Sequence, residues 1–190
     1  MTVTTLRKHI AASPTPPSTP RLRMEPTGAR RTLLDGGWWP RSTDPVAELP
    51  GLVLAIDQLR GPVTRLVLSV DGWDSQPRRL RVADRVLRLG YFSSQPASLL
   101  TALCDNGDRV DLLVVAPGTE PGTADAAMLL AATTGNLVHA QHILAHLDTL
   151  ARSEASDTAD IARRVWEDDG GPLVATAPRL TGIRQPLASA

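Results

Sequence analysis

A chain of 190 residues with twenty basic and twenty acidic side chains, 42% hydrophobic and 21% charged, has the composition of a globular protein with one core and tails. Its single cysteine, Cys104, excludes an internal disulfide and a cysteine-rich zinc site, and points to a reducing compartment. No window approaches the roughly 18 uninterrupted apolar residues of a membrane span, and no apolar run follows Arg7 and Lys8 as in a secretory leader, so a cytoplasmic protein is expected.

Charge is unevenly placed. Residues 1–31 carry six basic and one acidic side chain, residues 32–149 nine and thirteen, and residues 150–190 five and six. A mildly acidic central region lacks the clustered basic footprint of a nucleic-acid binder. Nineteen of the basic residues are arginine. With so much alanine beside them, they read as a G+C-rich coding genome before they read as selection for guanidinium chemistry.

Residues 1–20 end in SPTPPSTP, where proline removes backbone donors and nothing is offered for burial, so a disordered arm is predicted. From residue 21 a single α+β domain runs to residue 150. Leu22 and Met24 alternate with Arg21, Arg23 and Glu25 as in a half-buried strand, Gly28 marks a turn, and residues 30–34 return as a second strand. That strand runs into the loop Asp35-Gly36-Gly37-Trp38-Trp39-Pro40-Arg41, which holds half of the chain's four tryptophans. Ser42 or Thr43 then caps a helix with Asp44 and Pro45 in its first turn. Val46, Leu49, Val53 and Ile56 form its buried stripe, and Pro50 predicts either two short helices or one kinked helix, stopped by Gly61-Pro62.

Strands are predicted over 64–70, 78–82 and 85–92, with the turn Asp71-Gly72-Trp73-Asp74 after the first. Only Ala83-Asp84 separates the other two, which makes them a hairpin. Pairing across it sets Leu80 opposite Leu87 on an apolar face and Arg79 opposite Arg88 on a guanidinium face that includes Arg81. Residues 96–104 read as a short helix under the sheet, and 110–116 as a central strand buried on both faces. A helix capped by Thr123 follows, then a second segment over 137–150. Residues 151–190 read as a tail with a short helix over 157–166. The expected fold is α+β: a mainly antiparallel sheet of about five to six strands with helices packed on one side and disordered terminal tails.

Two clusters could carry function. Asp35, Trp38, Trp39 and Arg41 form one, and Asp71, Trp73, Arg78 and Arg79 the other; tryptophan offers a broad apolar face with one donor, and arginine stacks or holds carboxylates. The competing reading is that the paired rings plug the end of the sheet. Asp35 and Asp71 could alternatively be an acid/base pair, although an aspartate before glycine is first a turn residue.

His139, His142 and His146 share one arc of a helix. His142 and His146 have the i, i+4 spacing that can share one ion, but Ile143 stands where a zinc-protease helix has glutamate and no nearby cysteine supplies a third ligand. His139 and His146 stand about 10 Å apart along the axis, too far to ligate one ion, so no metal is expected and the row reads as a polar flank or a pH-sensitive interface. The loop before Thr123 has no lysine and places Glu120 where a phosphate would sit, the chain has no nucleophile elbow or dinucleotide fingerprint, and Cys104 reads as a buried, inert thiol. No cofactor is expected.

LRMEPTGARRTLLDGGWWPRS, a helix containing AELPGL, then VDGWDSQPRRL, RLGYF and DLLVVAP together resemble the actinobacterial proteins grouped as DUF5994, a domain of unknown function. The resemblance runs over residues 21–144 and implies no activity, substrate or catalytic residue. The expected function is a non-enzymatic domain that binds a protein partner or a small ligand through the Trp/Arg surface. An enzyme using Asp35 and Asp71, and a homo-oligomer closed by the histidine-bearing helix or the Trp166 segment, are the alternatives.

Overall fold

Alternation of apolar and polar residues builds strands whose two sides face different cores. In the computed structural model, which describes residues 10–27, 32–147 and 149, β1 (Arg21–Met24) is followed by β2 (Gly36–Trp39), α1 (Pro45–Arg60), β3 (Val63–Ser69), β4 (Arg79–Val82), β5 (Arg85–Phe92), β6 (Leu99–Cys104), β7 (Arg109–Val114) and α2 (Pro121–Ala131). A further helical segment spans 140–147. The expected tail from 151, with its helix over 157–166, lies outside the described residues. Among those described, no helix is long and apolar enough to cross a membrane.

The strands form one seven-stranded sheet in the order β1-β2-β7-β6-β3-β5-β4. The β2–β7 and β3–β5 pairs are parallel, and the other four neighbours antiparallel. The sheet is therefore mixed, which corrects the mainly antiparallel expectation. The parallel pairs β2–β7 and β3–β5 make that difference; a second correction concerns residues 96–104, expected as a helix. Leu99-Leu100-Thr101-Ala102-Leu103-Cys104 is instead β6, the middle strand. Short apolar runs fit either periodicity, and here the demand for a partner between β7 and β3 decides. Direction is symmetric about β6: β7, β2, β3 and β5 run one way, and β6, β1 and β4 the other.

Helices cover both faces, not one. Trp38, Leu100, Leu112, Leu66, Leu87 and Leu80 share a core with Leu49, Leu52, Val53 and Ile56 of α1. Their neighbours Trp39, Leu113 and Val115 turn the other way and pack on Ala124, Ala127 and Met128 of α2 and on Ala140 and Ile143. Gly37 permits that second contact, since a Cβ there would fall 2.7 Å from the Met128 Cα. On this face helices reach β1, β2 and β7. The sides of β3, β5 and β4 beyond are without a helix among the described residues.

Helix α1 is continuous through Pro50, with Asp44 as its cap accepting the Val46 N–H at 2.9 Å. Helix α2 is capped by Glu120, which accepts from the Thr123 N–H at 2.8 Å. Residues 10–20 run beside the domain. Ala11 exchanges backbone hydrogen bonds of 2.9 and 2.8 Å with Arg79 and Arg81 at the outer edge of β4, and Gly51 of α1 leaves no room for a Cβ against the Ser18 carbonyl.

Candidate functional site

Because β2, β7 and β3 run in the same direction, their carboxyl ends reach one rim of the sheet, the place where parallel strands leave a crevice between their outgoing loops. The loops there, Pro40–Thr43, Asp71–Trp73 and Ala116-Pro117, close around a cavity of about 270 Å³. Ala97, Ser98, Val114 and Leu144 complete its lining. Polar groups come from Ser42, Thr43, Ser98 and Asp71, and Asp71 is the only lining residue with an ionisable side chain.

Trp73 forms a wall. Its ring stacks on Trp38 with centroids 6.0 Å apart and planes 20° from parallel. Trp38 is 1% exposed, so the second ring is held in place by the core. The Asp74 N–H donates to the Thr43 carbonyl at 3.0 Å, joining the tryptophan turn to the loop that caps α1. The Asp71 N–H donates to Ser69 Oγ at 3.1 Å.

Trp39 braces the opposite side. Its indole N–H donates to the Ala116 and Pro117 carbonyls at 3.2 and 3.3 Å. The Arg21 guanidinium lies 3.4 Å from the centre of its ring, an arrangement that attracts the cation to the ring face. The same guanidinium donates to the carbonyls of Trp39 and Pro40 at 2.9 and 2.6 Å. Arg21 therefore holds two walls of the cavity without lining it.

The sequence-predicted residues divide accordingly. Asp71 and Trp73 line the cavity. Trp38 and Trp39 lie on a strand and not in a loop; both are buried, and they support its walls from behind. Arg41 turns toward residues 18–19, donating to the Thr19 carbonyl at 2.9 Å, while its N–H is held by Glu48. Arg78 and Arg79 sit at the start of β4, away from the lining. Asp35 precedes β2 and so lies at the opposite end of the sheet from Asp71, which follows β3; the structure does not bring this acid/base pair together. Ala97 and Ser98 were hidden by the helical reading of 96–104. Proline after the VDLLVVA run was the one local signal for the Ala116-Pro117 wall.

Asp35 belongs to a polar network at that other end. Its Oδ2 accepts the Asp111 N–H at 2.7 Å, and burial pushes its carboxyl up, with the neighbouring Asp111 and Glu25 carboxylates adding to the rise. Glu25, 1% exposed, accepts from Thr27 and from Thr134 Oγ1, the latter at 2.7 Å. His139, His142 and His146 are exposed, with the first two rings edge to face at 6.2 Å. Among the described residues, no group of three histidine, cysteine or acidic side chains is placed to hold a metal ion. Cys104 is buried, and burial pushes its thiol up.

Over residues 21–131 the chain matches the family described as a family of unknown function, DUF5994. No curated protein and no solved structure matches it. The match begins with β1 and ends with α2, taking in the whole sheet and both supporting tryptophans; the chain belongs to the DUF5994 family.

Proposed function

We propose that the protein is a cytoplasmic binding domain that takes a small, flat, mostly apolar molecule in the cavity at the carboxyl ends of β2, β7 and β3. The observation that carries this reading is the Trp73 ring, half-buried and stacked on the buried Trp38, with the cavity alongside. A ring already immobilised costs little further entropy when a second flat group covers it. The volume stands just below the usual range of about 300–1,000 Å³ for ligand pockets, which suits a molecule of a few rings or fewer. Ser42, Thr43, Ser98 and Asp71 supply the few polar groups that orient a ligand, and Asp71 favours one with a donor or a positive charge. The cytoplasmic part of the reading rests on the lone, unpaired cysteine.

Ligand-detected NMR of the full chain against a set of small aromatic and saturated compounds tests this. Aromatic compounds should bind the native protein, and Trp73→Leu, checked for an unchanged unfolding midpoint, should weaken them about tenfold, the scale of a lost aromatic contact of roughly 1.4 kcal/mol. An empty screen against the native protein, or equal binding by the variant, overturns the proposal.

A further inference from the structure

The part of the sheet that no helix covers among the described residues carries a row of arginines. Register sets Arg79 of β4 opposite Arg88 of β5, and Arg88 beside Arg65 of β3. Leu103 of β6 then continues the row to Arg109 of β7. Neighbouring strands lie about 4.8 Å apart, so guanidinium-bearing positions fall on three consecutive strands within about 10 Å. Arg81 projects from the same side of β4, two residues beyond Arg79. Arg65, Arg81 and Arg88 are exposed and Arg79 is partly so.

These charges are not neutralised within the described chain. The ion pairs among the described residues engage Arg23, Arg60, Arg85 and Arg109, and none engages a member of the Arg65, Arg79, Arg81 and Arg88 set. Like charges directly opposite one another destabilise a sheet. The apolar core on the other face gains nothing from them. The free domain thus carries a repulsion that an anion laid across the row would relieve.

At its Arg109 end the row opens into a second cleft, of about 250 Å³, lined by Leu33, Leu34 and Leu99 with Asp111, His139 and Gln141 among its polar residues. Arg109 is held there by Asp111 at 2.8 Å, and Leu33, Leu34, Pro96 and Leu99 give the cleft an apolar side beside a polar one of comparable extent. We infer that this face docks an acidic stretch of a partner protein, its carboxylates on Arg65, Arg79, Arg81 and Arg88 and one apolar side chain in the cleft at Leu99. Charge complementarity selects an acidic occupant, and three observations select a polypeptide over a nucleic acid. Residues 32–149 carry nine basic against thirteen acidic side chains, so the wider field opposes a long polyanion while a short acidic segment needs only the local patch. The cleft accepts an apolar group that a sugar-phosphate backbone lacks. Phe92, 51% exposed, is the one exposed aromatic on this face among the described residues, whereas single-strand binders stack successive bases on several.

Fluorescence anisotropy of the full chain with a labelled peptide of glutamates around a central leucine tests the inference. The peptide should bind, more weakly as salt rises, and more weakly again when its leucine is replaced by serine. The double variant Arg65→Ser/Arg88→Ser should lose at least about tenfold in affinity, while Arg23→Ser, on the helix-covered half, should lose none. No binding, equal binding by the double variant, or preference for a single-stranded oligonucleotide of equal charge overturns the inference. Thermal unfolding gives a readout that needs no partner: Arg88→Gln should raise the midpoint by about 2–4 °C at low salt and shrink the gain that added salt gives the native chain. A fall in the midpoint overturns the premise that the row repels itself.

Discussion

Asp35 is a carboxylate whose value depends on its surroundings more than on its own chemistry. It sits where β2 begins, its backbone N–H bonded to the Asp111 carbonyl at 2.7 Å and its side chain accepting the Asp111 N–H at 2.7 Å. Burial is the largest cause of its raised carboxyl pKa, with the Asp111 and Glu25 charges acting in the same direction. A carboxyl raised on folding holds its proton more tightly in the native state, so its contribution to stability is greatest below the unfolded pKa and falls as pH climbs through the native one. At neutral pH the charge on Asp35 is a cost. Asp35→Asn keeps an acceptor for the Asp111 N–H and removes that cost. The variant should be more stable than the native chain at about pH 7 and lose the advantage at about pH 4, read by urea unfolding. Lower stability at the higher pH would show that the carboxylate itself is needed.

That single position also marks what local pattern could reveal about the site. Asp35 precedes glycine and two tryptophans, which suggests a ligand loop. Its actual partner is 76 residues away, chosen by strand pairing that no window of sequence contains. Trp73 was legible as an aromatic in an Asp-Gly turn, although it packs against the core cluster. The stacking of Trp73 on Trp38 was not, since it joins the turn after β3 to the middle of β2.

Among the elements, the β4–β5 hairpin was the most legible. Two alternating stretches around two residues allow one register that buries the leucines, and the structure pairs Leu80 with Leu87 and Arg79 with Arg88. Its turn holds a residue that does not suit it. Ala83 adopts φ 51°, a left-handed conformation that costs a residue with a Cβ about 1–2 kcal/mol and glycine almost nothing. Ala83→Gly should therefore raise stability by about 1 kcal/mol, net of the entropy glycine adds to the unfolded chain. An unchanged or lower denaturation midpoint would show that the turn relaxes without the substitution. β6 was illegible for the opposite reason: its apolar residues satisfy both faces of a central strand, so no alternation remains to be seen. Pro50 misled in a milder way, because the burial of Leu49, Leu52 and Val53 carries α1 through the missing hydrogen bond.

For the molecule as a whole, the α+β class and an inner strand at residues 110–116, found as Arg109–Val114, could be read from composition and hydrophobic runs. The covering of both sheet faces could not. Which side a helix takes depends on which way its neighbouring strands point, and that in turn on the pairing of β2 with β7. Once the pairing is known, adjacent residues explain the layers: Trp38 and Trp39, like Leu112 and Leu113, are divided between two cores. The tryptophan pair then reads as a rivet through the sheet.

The pairing of β2 with β7 also sets an order of events in time. As the chain leaves the ribosome, β3, β4 and β5 can associate while β7 is still unmade, but β2 waits for the last strand of the sheet before its second edge is filled. Through that interval the Trp39 indole lacks Leu113, Val115 and α2, the layer it packs on. Pulsed hydrogen exchange during refolding should accordingly protect the amides of β4 and β5 before those of β2; simultaneous protection would rule out this order. The newborn chain is thus at its most adhesive just before residues 109–114 arrive, and the span between the two strands measures how long it needs shelter.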